Sequence, residues 1–160
     1  MIPRGVSNII IEKINLERVK DIYEAASESS KEWSAEGMIP KLDLSIDETE
    51  YFIKDSIGLW ENDNAYMFFI LDVSTDQVVG LAFLNHIIRQ YQMANLGYQV
   101  RTSRMGEGIA NEAAKLVAGY GFEKLGLQRV EIVVRKDNAP SLKVVEKLGA
   151  VREGLLRNRL

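Results

Sequence analysis

The spacing of apolar residues changes several times along the chain, and each change predicts an element. Ile9, Ile10 and Ile11, flanked by Val6 and Ile14, form a β-branched run that predicts a first strand ending near Asn15. Asn15 is a helix-capping residue type. From Leu16 the period becomes helical, and Leu16, Val19, Ile22, Tyr23 and Ala26 share one face, with Ser27 to Ser30 weakening the helix toward Trp33. A loop is predicted through Gly37 and Pro40. Ser45-Ile46-Asp47-Glu48 then has the form of a capping box, and Phe52, Ile53, Ile57 and Trp60 supply the apolar face of a second helix ending in Glu61-Asn62-Asp63-Asn64.

The next segment is β-like. Ala65 to Val73 is rich in aromatic and branched residues, Ser74-Thr75-Asp76-Gln77 has turn chemistry, and Val78 to Ile88 is a second run, so the pair predicts a hairpin. Ala94 to Val100 adds another strand beside it. A glycine-containing loop follows, Met105-Gly106-Glu107-Gly108, and Ile109, Ala113, Leu116, Val117 and Tyr120 give a long helix one apolar face. Gly126 breaks that pattern, Arg129 to Arg135 predicts a strand, and Asn138 and Pro140 open a short helix whose Leu142, Val145 and Leu148 point inward. Gly149 ends it. Ala150 onward predicts a last extended run to Leu160. No repeat, low-complexity tract or linker interrupts the chain, which is expected to form a single mixed α/β domain over residues 1–160: an antiparallel meander, then strand-helix-strand-helix-strand.

Composition narrows the chemistry. With 160 residues, 46% of them hydrophobic, the chain can bury a sizeable core. A formal charge of −3 with no long basic run argues against a nucleic-acid footprint and tolerates a cationic or amine ligand. The absence of cysteine excludes disulfides, thiolate metal sites and a Cys nucleophile, and a single histidine, His86, makes a His-based metal site improbable. No metal is expected. The N-terminal residues lack a signal-peptide core and no apolar run approaches the roughly 20 residues of a membrane helix, so a soluble cytoplasmic protein is expected.

The glycine loop carries the most chemistry. Gly106 and Gly108 permit several backbone N–H groups to converge on one anion at the positive end of the following helix, a site suited to a pyrophosphate. A Walker-type loop needs Lys after its last glycine, and none follows Gly108. A dinucleotide fingerprint needs a third glycine where Asn111 stands, and its turn follows its strand directly, whereas these glycines come six or more residues after Val100. The third reading is coenzyme A, with its pyrophosphate on the loop and its arm along Tyr98-Gln99-Val100.

Taken together, Gly106-Glu107-Gly108-Ile109-Ala110, the helix with Glu112-Ala113, the strand Arg129 to Arg135, and Asn138-x-x-Ser141 through Lys147-Leu148-Gly149-Ala150 resemble the GNAT superfamily of N-acetyltransferases. Within it the chain looks most like the RimJ/RimL branch that acetylates N-termini of ribosomal proteins. The resemblance implies a GNAT-like fold and an acetyl-CoA cleft between Leu96 to Val100 and Arg129 to Arg135. It implies that Met105, Gly106, Glu107, Gly108, Ile109 and Ala110 surround the pyrophosphate, with N–H groups from Gly106 to Ala110 holding it. Tyr98, Gln99 and Val100 would lie along the pantetheine arm, with Gln99 and Val100 pairing with it as a strand would, and the Asn138 side chain would bind an amide of that arm. The amine substrate, best read as a protein N-terminus, would enter over Trp33 to Pro40 and the second helix.

Several positions depart from that family's pattern. Met105 replaces a Gln or Arg, Val145 replaces a Tyr that protonates the leaving thiolate, and Asn95 replaces a Glu that acts as base. In the favoured branch a Ser takes the acid role, which the resemblance assigns to Ser141. An α-amine with a pKa near ~8 is partly neutral at pH 7, whereas a Lys-like amine near ~10.4 is not, so a chain without an evident base favours α-amines. Other readings stay open: a small amine such as a polyamine or an amino-antibiotic as substrate, or a non-catalytic acyl-CoA-binding module. Each residue also has a structural reading: Asn138 and Ser141 as first-turn helix chemistry, His86 as a surface or turn residue, Trp33 and Trp60 as core or substrate rim, Glu107 as solvated. The family's sheet closes with two C-terminal strands and this chain has residues for the first only. It is therefore expected to be truncated, or to have its open edge covered by another protomer.

Overall fold

The computed structural model describes residues 8–37 and 43–157. Among them, five strands form one mixed sheet in sequence order: β1 (Ile9–Lys13), β2 (Tyr66–Asp72), β3 (Gln77–Ile88), β4 (Met93–Val100) and β5 (Arg129–Glu131). The first four are antiparallel neighbours and β5 runs parallel to β4. A parallel neighbour requires a crossover, which α4 (Ile109–Lys124) supplies. The predicted hairpin is β2–β3. The register of β3 against β4 slips between Asn85 and Ile88, where exposed His86 adopts a positive φ of 49°. That bulge places His86 outside the ladder, on the surface.

Helices cover both faces. Ile109, Ala113, Ala114 and Val117 of α4 pack on Ala82, Leu84, Ala94, Leu96 and Val100. On the opposite face, α1 (Val19–Glu28), α2 (Ser30–Ala35) and α3 (Ile46–Glu61) bring Ile22, Ala25, Trp33 and Ile53 against Phe69, Leu71, Val78 and Leu81. The capping box of α3 forms as its sequence predicts: Glu48 N–H donates to Ser45 Oγ and Ser45 N–H to the Glu48 carboxylate. Trp60 at the far end of α3 joins an aromatic cluster, its ring 5.0 Å from those of Tyr66 and Phe68 and 6.0 Å from that of Tyr120.

The weakening expected over Ser27 to Ser30 is a break at Ser29, which leaves helical geometry (φ −104°, ψ 13°) and whose buried hydroxyl accepts the Thr102 N–H. Three sequence expectations are corrected. β5 stops at Glu131 and not at Arg135, because β4 offers it ladder partners only from Met93 to Asn95. Leu142 is 38% exposed and does not point into the core. Residues 150–157 form no strand: no neighbour among the described residues pairs with them, and Val151, Leu155 and Leu156 are exposed. An Arg129–Glu153 ion pair is what ties this segment to β5. The expected loop through Pro40, and with it much of the expected amine entrance, lies outside the described residues, as do Val6 and Leu160. No helix among the described residues is long and apolar enough to cross a membrane.

Candidate functional site

The site begins where two parallel strands stop pairing. Ladder partners run from Met93↔Arg129 to Asn95↔Glu131, and beyond them neither strand has the other as a neighbour. Leu96 to Val100 therefore presents an edge with unused backbone groups. Strand alternation identifies them. Arg101 N–H bonds Val79 O at 2.7 Å, and the Gln99 carbonyl points at Gly80, where a Cβ would lie 2.2 Å from it. The backbone of Gln99 thus belongs to the β3 side, and that of Tyr98 and Val100 to the open edge. The expected pairing of Gln99 with a ligand arm is corrected on this ground. At Val100 the carbonyl is already taken by the indole N–H of fully buried Trp33, at 3.2 Å. What the edge offers is the Tyr98 N–H and C=O and the Val100 N–H. Trp33 is a core residue that fixes the end of β4.

The loop after β4 is bound to the surrounding helices and strands at each step. Glu28 accepts from Arg101 Nε at 2.6 Å and from Ser103 N–H at 2.8 Å, Ser29 Oγ accepts from Thr102 N–H at 2.9 Å, and Thr102 Oγ1 donates to Glu32 at 3.1 Å. Arg104 then donates to Asp72 Oδ2 at 2.9 Å and to both carboxylate oxygens of Glu107. Glu107 is exposed, as its solvated reading expects, and is in addition the ion-pair partner of Arg104. Asp72, also bonded by the Ser74 N–H and hydroxyl, is held below the usual carboxylate range by Ser74 and Arg104.

Held in this way, the loop delivers Gly106 (φ 83°) and Gly108 (φ 81°) in the left-handed region. A Cβ at either would meet nothing within 4 Å, so open space lies in front of both. Gly108 occupies the cap position of α4 without a side-chain cap, and the N–H groups of Gly106 to Asn111 have no acceptor among the described residues. Met105 lies half-exposed beside them.

The opposite wall is α5 (Ala139–Lys147), capped by Asn138, whose Oδ1 accepts from Ser141 N–H at 3.1 Å. The Asn138 amide nitrogen has no acceptor among the described residues. Asn111 of α4 donates to Val144 O at 3.3 Å, fixing α5 against α4. Across the cleft, the hydroxyls of Tyr98 and Ser141 are 3.3 Å apart, and burial raises the Tyr98 phenol above its ordinary pKa. A cavity of about 310 Å³ lies between loop and helix, lined by Gly106, Gly108, Ala139, Pro140, Lys143 and Lys147.

Tyr98, Val100, Met105, Gly106, Gly108, Ile109, Ala110, Asn138 and Ser141 are thus contributed by β4, the loop, the first turn of α4 and the start of α5, the elements that border this cleft. The Asn95 amide donates to Asn85 Oδ1 at 2.8 Å, a cross-strand pair. Sequence reasoning gave no site role to Lys143, or to Lys147 beyond its place in the family-like motif, although their i, i+4 spacing on a predicted helix was the available signal, and it missed the anchoring roles of Glu28, Ser29 and Asp72, which no local signal marks.

A sequence family described as an acetyltransferase (GNAT) domain matches residues 8–151. The uncharacterized N-acetyltransferase p20 of Bacillus licheniformis is 37% identical over 94 residues, 59% of this chain and 53% of that protein. The chain spans about half the length of the curated relatives that it matches at 37% and 39% identity. The ribosomal-protein-serine acetyltransferase of Escherichia coli K12 is 26% identical over 140 residues, covering 87% of this chain and 76% of that protein. The crystal structure of a ribosomal-protein-S5-alanine acetyltransferase from Vibrio fischeri superposes with a TM-score of 0.85, covers 98% of this chain and 87% of its own, and is 19% identical, a likeness of fold.

Proposed function

The chain belongs to the GNAT acetyltransferases, and from that premise we propose that it transfers an acetyl group from acetyl-CoA to a primary amine, in the first place the N-terminal α-amine of a protein. The observation that carries the reading is the loop Gly106–Gly108: two left-handed glycines with open space before them, at an uncapped 16-residue helix, on an edge where β4 has lost its neighbour. These features fit a pyrophosphate joined to an extended amide-bearing arm. N–H groups from Gly106 to Ala110 would hold the phosphates, the Tyr98 and Val100 backbone would accommodate the arm, and the Asn138 amide nitrogen would be free to donate to one of its carbonyls. When bound, acetyl-CoA supplies an acyl group activated as a thioester.

The chain's own contribution is orientation and the relay of one proton: Ser141 would give its proton to the leaving thiolate and regain one from the amine, which loses a proton as the amide forms. Ser141 holds a hydroxyl proton at the mouth of α5, aligned by Asn138 through its backbone and by Tyr98 through its hydroxyl. A thiolate resembling that of cysteine, near ~8.5, needs only modest assistance from such a donor. Among the described residues no carboxylate or imidazole hydrogen-bonds the Tyr98–Ser141 pair, an arrangement that suits an amine arriving already neutral. An α-amine meets that demand at neutral pH far better than a side-chain amine.

Acetyl transfer measured with α-amino peptides, an ε-amino peptide and spermidine tests this. The reading predicts turnover of α-amino peptides, with kcat/KM rising with pH and levelling near pH 8. Preferential turnover of spermidine would move the assignment to polyamines. Acetyl-CoA binding without turnover of any amine would leave a binding module.

A further inference from the structure

We propose that Lys143 and Lys147 form a second phosphate subsite, for the phosphate monoester on the ribose of coenzyme A, and make the chain select CoA over its 3′-dephospho form. The inference rests on the acetyl-CoA reading and adds to it a part of the ligand that the glycine loop does not address.

The two lysines stand one helical turn apart on α5 and line the same cavity as Gly106 and Gly108. Four other cations on the elements that border the site are paired. Arg101 is paired with Glu28, Arg104 with Asp72 and Glu107, Lys115 with Glu112 and Arg135 with Asp137. Neither Lys143 nor Lys147 has an ion pair among the described residues. Like charges at i, i+4 oppose helix formation, so the sequence keeps an unfavourable pair on the one face of α5 that looks into the cavity. The helix dipole accounts for Lys147, in the last turn, and not for Lys143 in the middle.

The two sides of the cavity suit different phosphates. Converging backbone N–H groups match the singly charged oxygens of a pyrophosphate bridge, which they can approach closely. Two ammonium groups are point charges on flexible stems, and they match a monoester, which carries close to two negative charges at neutral pH. Coenzyme A presents both kinds of phosphate on one nucleotide, and a cavity of about 310 Å³ reaching from the loop to the lysines gives that end of the ligand a place between them.

Calorimetric titration of the whole chain with CoA and with 3′-dephospho-CoA, at one fixed ionic strength, tests the assignment. Two partly exposed charge pairs are worth about tenfold in affinity, so the wild type should bind CoA about tenfold more tightly than the dephospho form. Lys143→Gln/Lys147→Gln should bind the two alike, with dephospho-CoA affinity within about twofold of wild type, and Lys143→Arg/Lys147→Arg should restore discrimination. Equal affinities in the wild type, or a ratio unchanged in the glutamine variant, would overturn the subsite while leaving the acetyl-CoA reading intact. A folded wild type that binds neither ligand would overturn both.

Discussion

The hydroxyls of Tyr98 and Ser141 lie 3.3 Å apart and join the two walls of the cleft. Tyr98 comes from β4 three residues beyond Asn95, the last one paired with β5, and Ser141 from the first turn of α5. Burial disfavours the phenolate, so Tyr98 keeps its proton and can donate it to the serine oxygen, which leaves the serine proton aimed elsewhere. On the proposed reading, that proton is the one Ser141 offers to the leaving thiolate.

Removing the hydroxyl of Ser141 while preserving the Asn138 cap therefore isolates the proton. Ser141→Ala should lower kcat about 100-fold, with KM for acetyl-CoA within about threefold of wild type. Tyr98→Phe should lower kcat less, about tenfold, since it orients the donor without supplying it. Steady-state kinetics on both variants checks this, and a Ser141→Ala enzyme of normal kcat would remove the serine from the chemistry.

Asp72 connects the β2–β3 hairpin to the glycine loop through Arg104. Its pKa is depressed in the folded chain, so the stability it contributes is present above its unfolded value near ~3.9 and is lost as pH falls below that through the folded value. Asp72→Asn should destabilise the chain by about 1–3 kcal/mol at pH 7 and weaken acetyl-CoA binding, because the loop loses an anchor. The difference from wild type should shrink as the pH drops below about 4. Denaturant melts at pH 7 and pH 3.5 provide the comparison.

Trp33 is wholly buried and its indole N–H satisfies the carbonyl of Val100. Trp33→Phe removes that donor, strands a buried carbonyl and leaves a void, at a cost of about 2 kcal/mol. A chain of this size should then melt roughly 4–8 °C lower. An unchanged melting temperature would mean that Val100 finds another donor.

What the sequence disclosed was what is decided locally. The Ser45 capping box, the Asn138 cap and the left-handed glycines each depend on a few neighbouring residues, and each is present in the fold. The hairpin and the α4 crossover followed from period and turn chemistry. Features set by partners distant in sequence were not legible. β5 ends at Glu131 because β4 leaves it, though Ile132, Val133 and Val134 are as β-prone as what precedes them. Gln99 faces β3 by a parity that only the register reveals. The serine run around Ser29 marked a weak helix, but not that the Ser29 hydroxyl accepts from a residue 73 positions away. Lys143 and Lys147 resemble solvent-facing lysines on any helix until the opposite wall of their cavity is known.

The central claim is an acetyl-CoA site on the loop Gly106–Gly108, and calorimetric titration of the chain with acetyl-CoA, before and after Gly108→Trp, tests it most directly. A Cβ at Gly108 meets no atom within 4 Å, so an indole there projects from open space into the proposed phosphate cradle, and the left-handed φ adds only about 1–2 kcal/mol of strain. The account predicts saturable 1:1 binding by the wild type and none by a variant with a native circular dichroism spectrum. Undiminished binding by the folded variant, or no binding by the folded wild type, would contradict it.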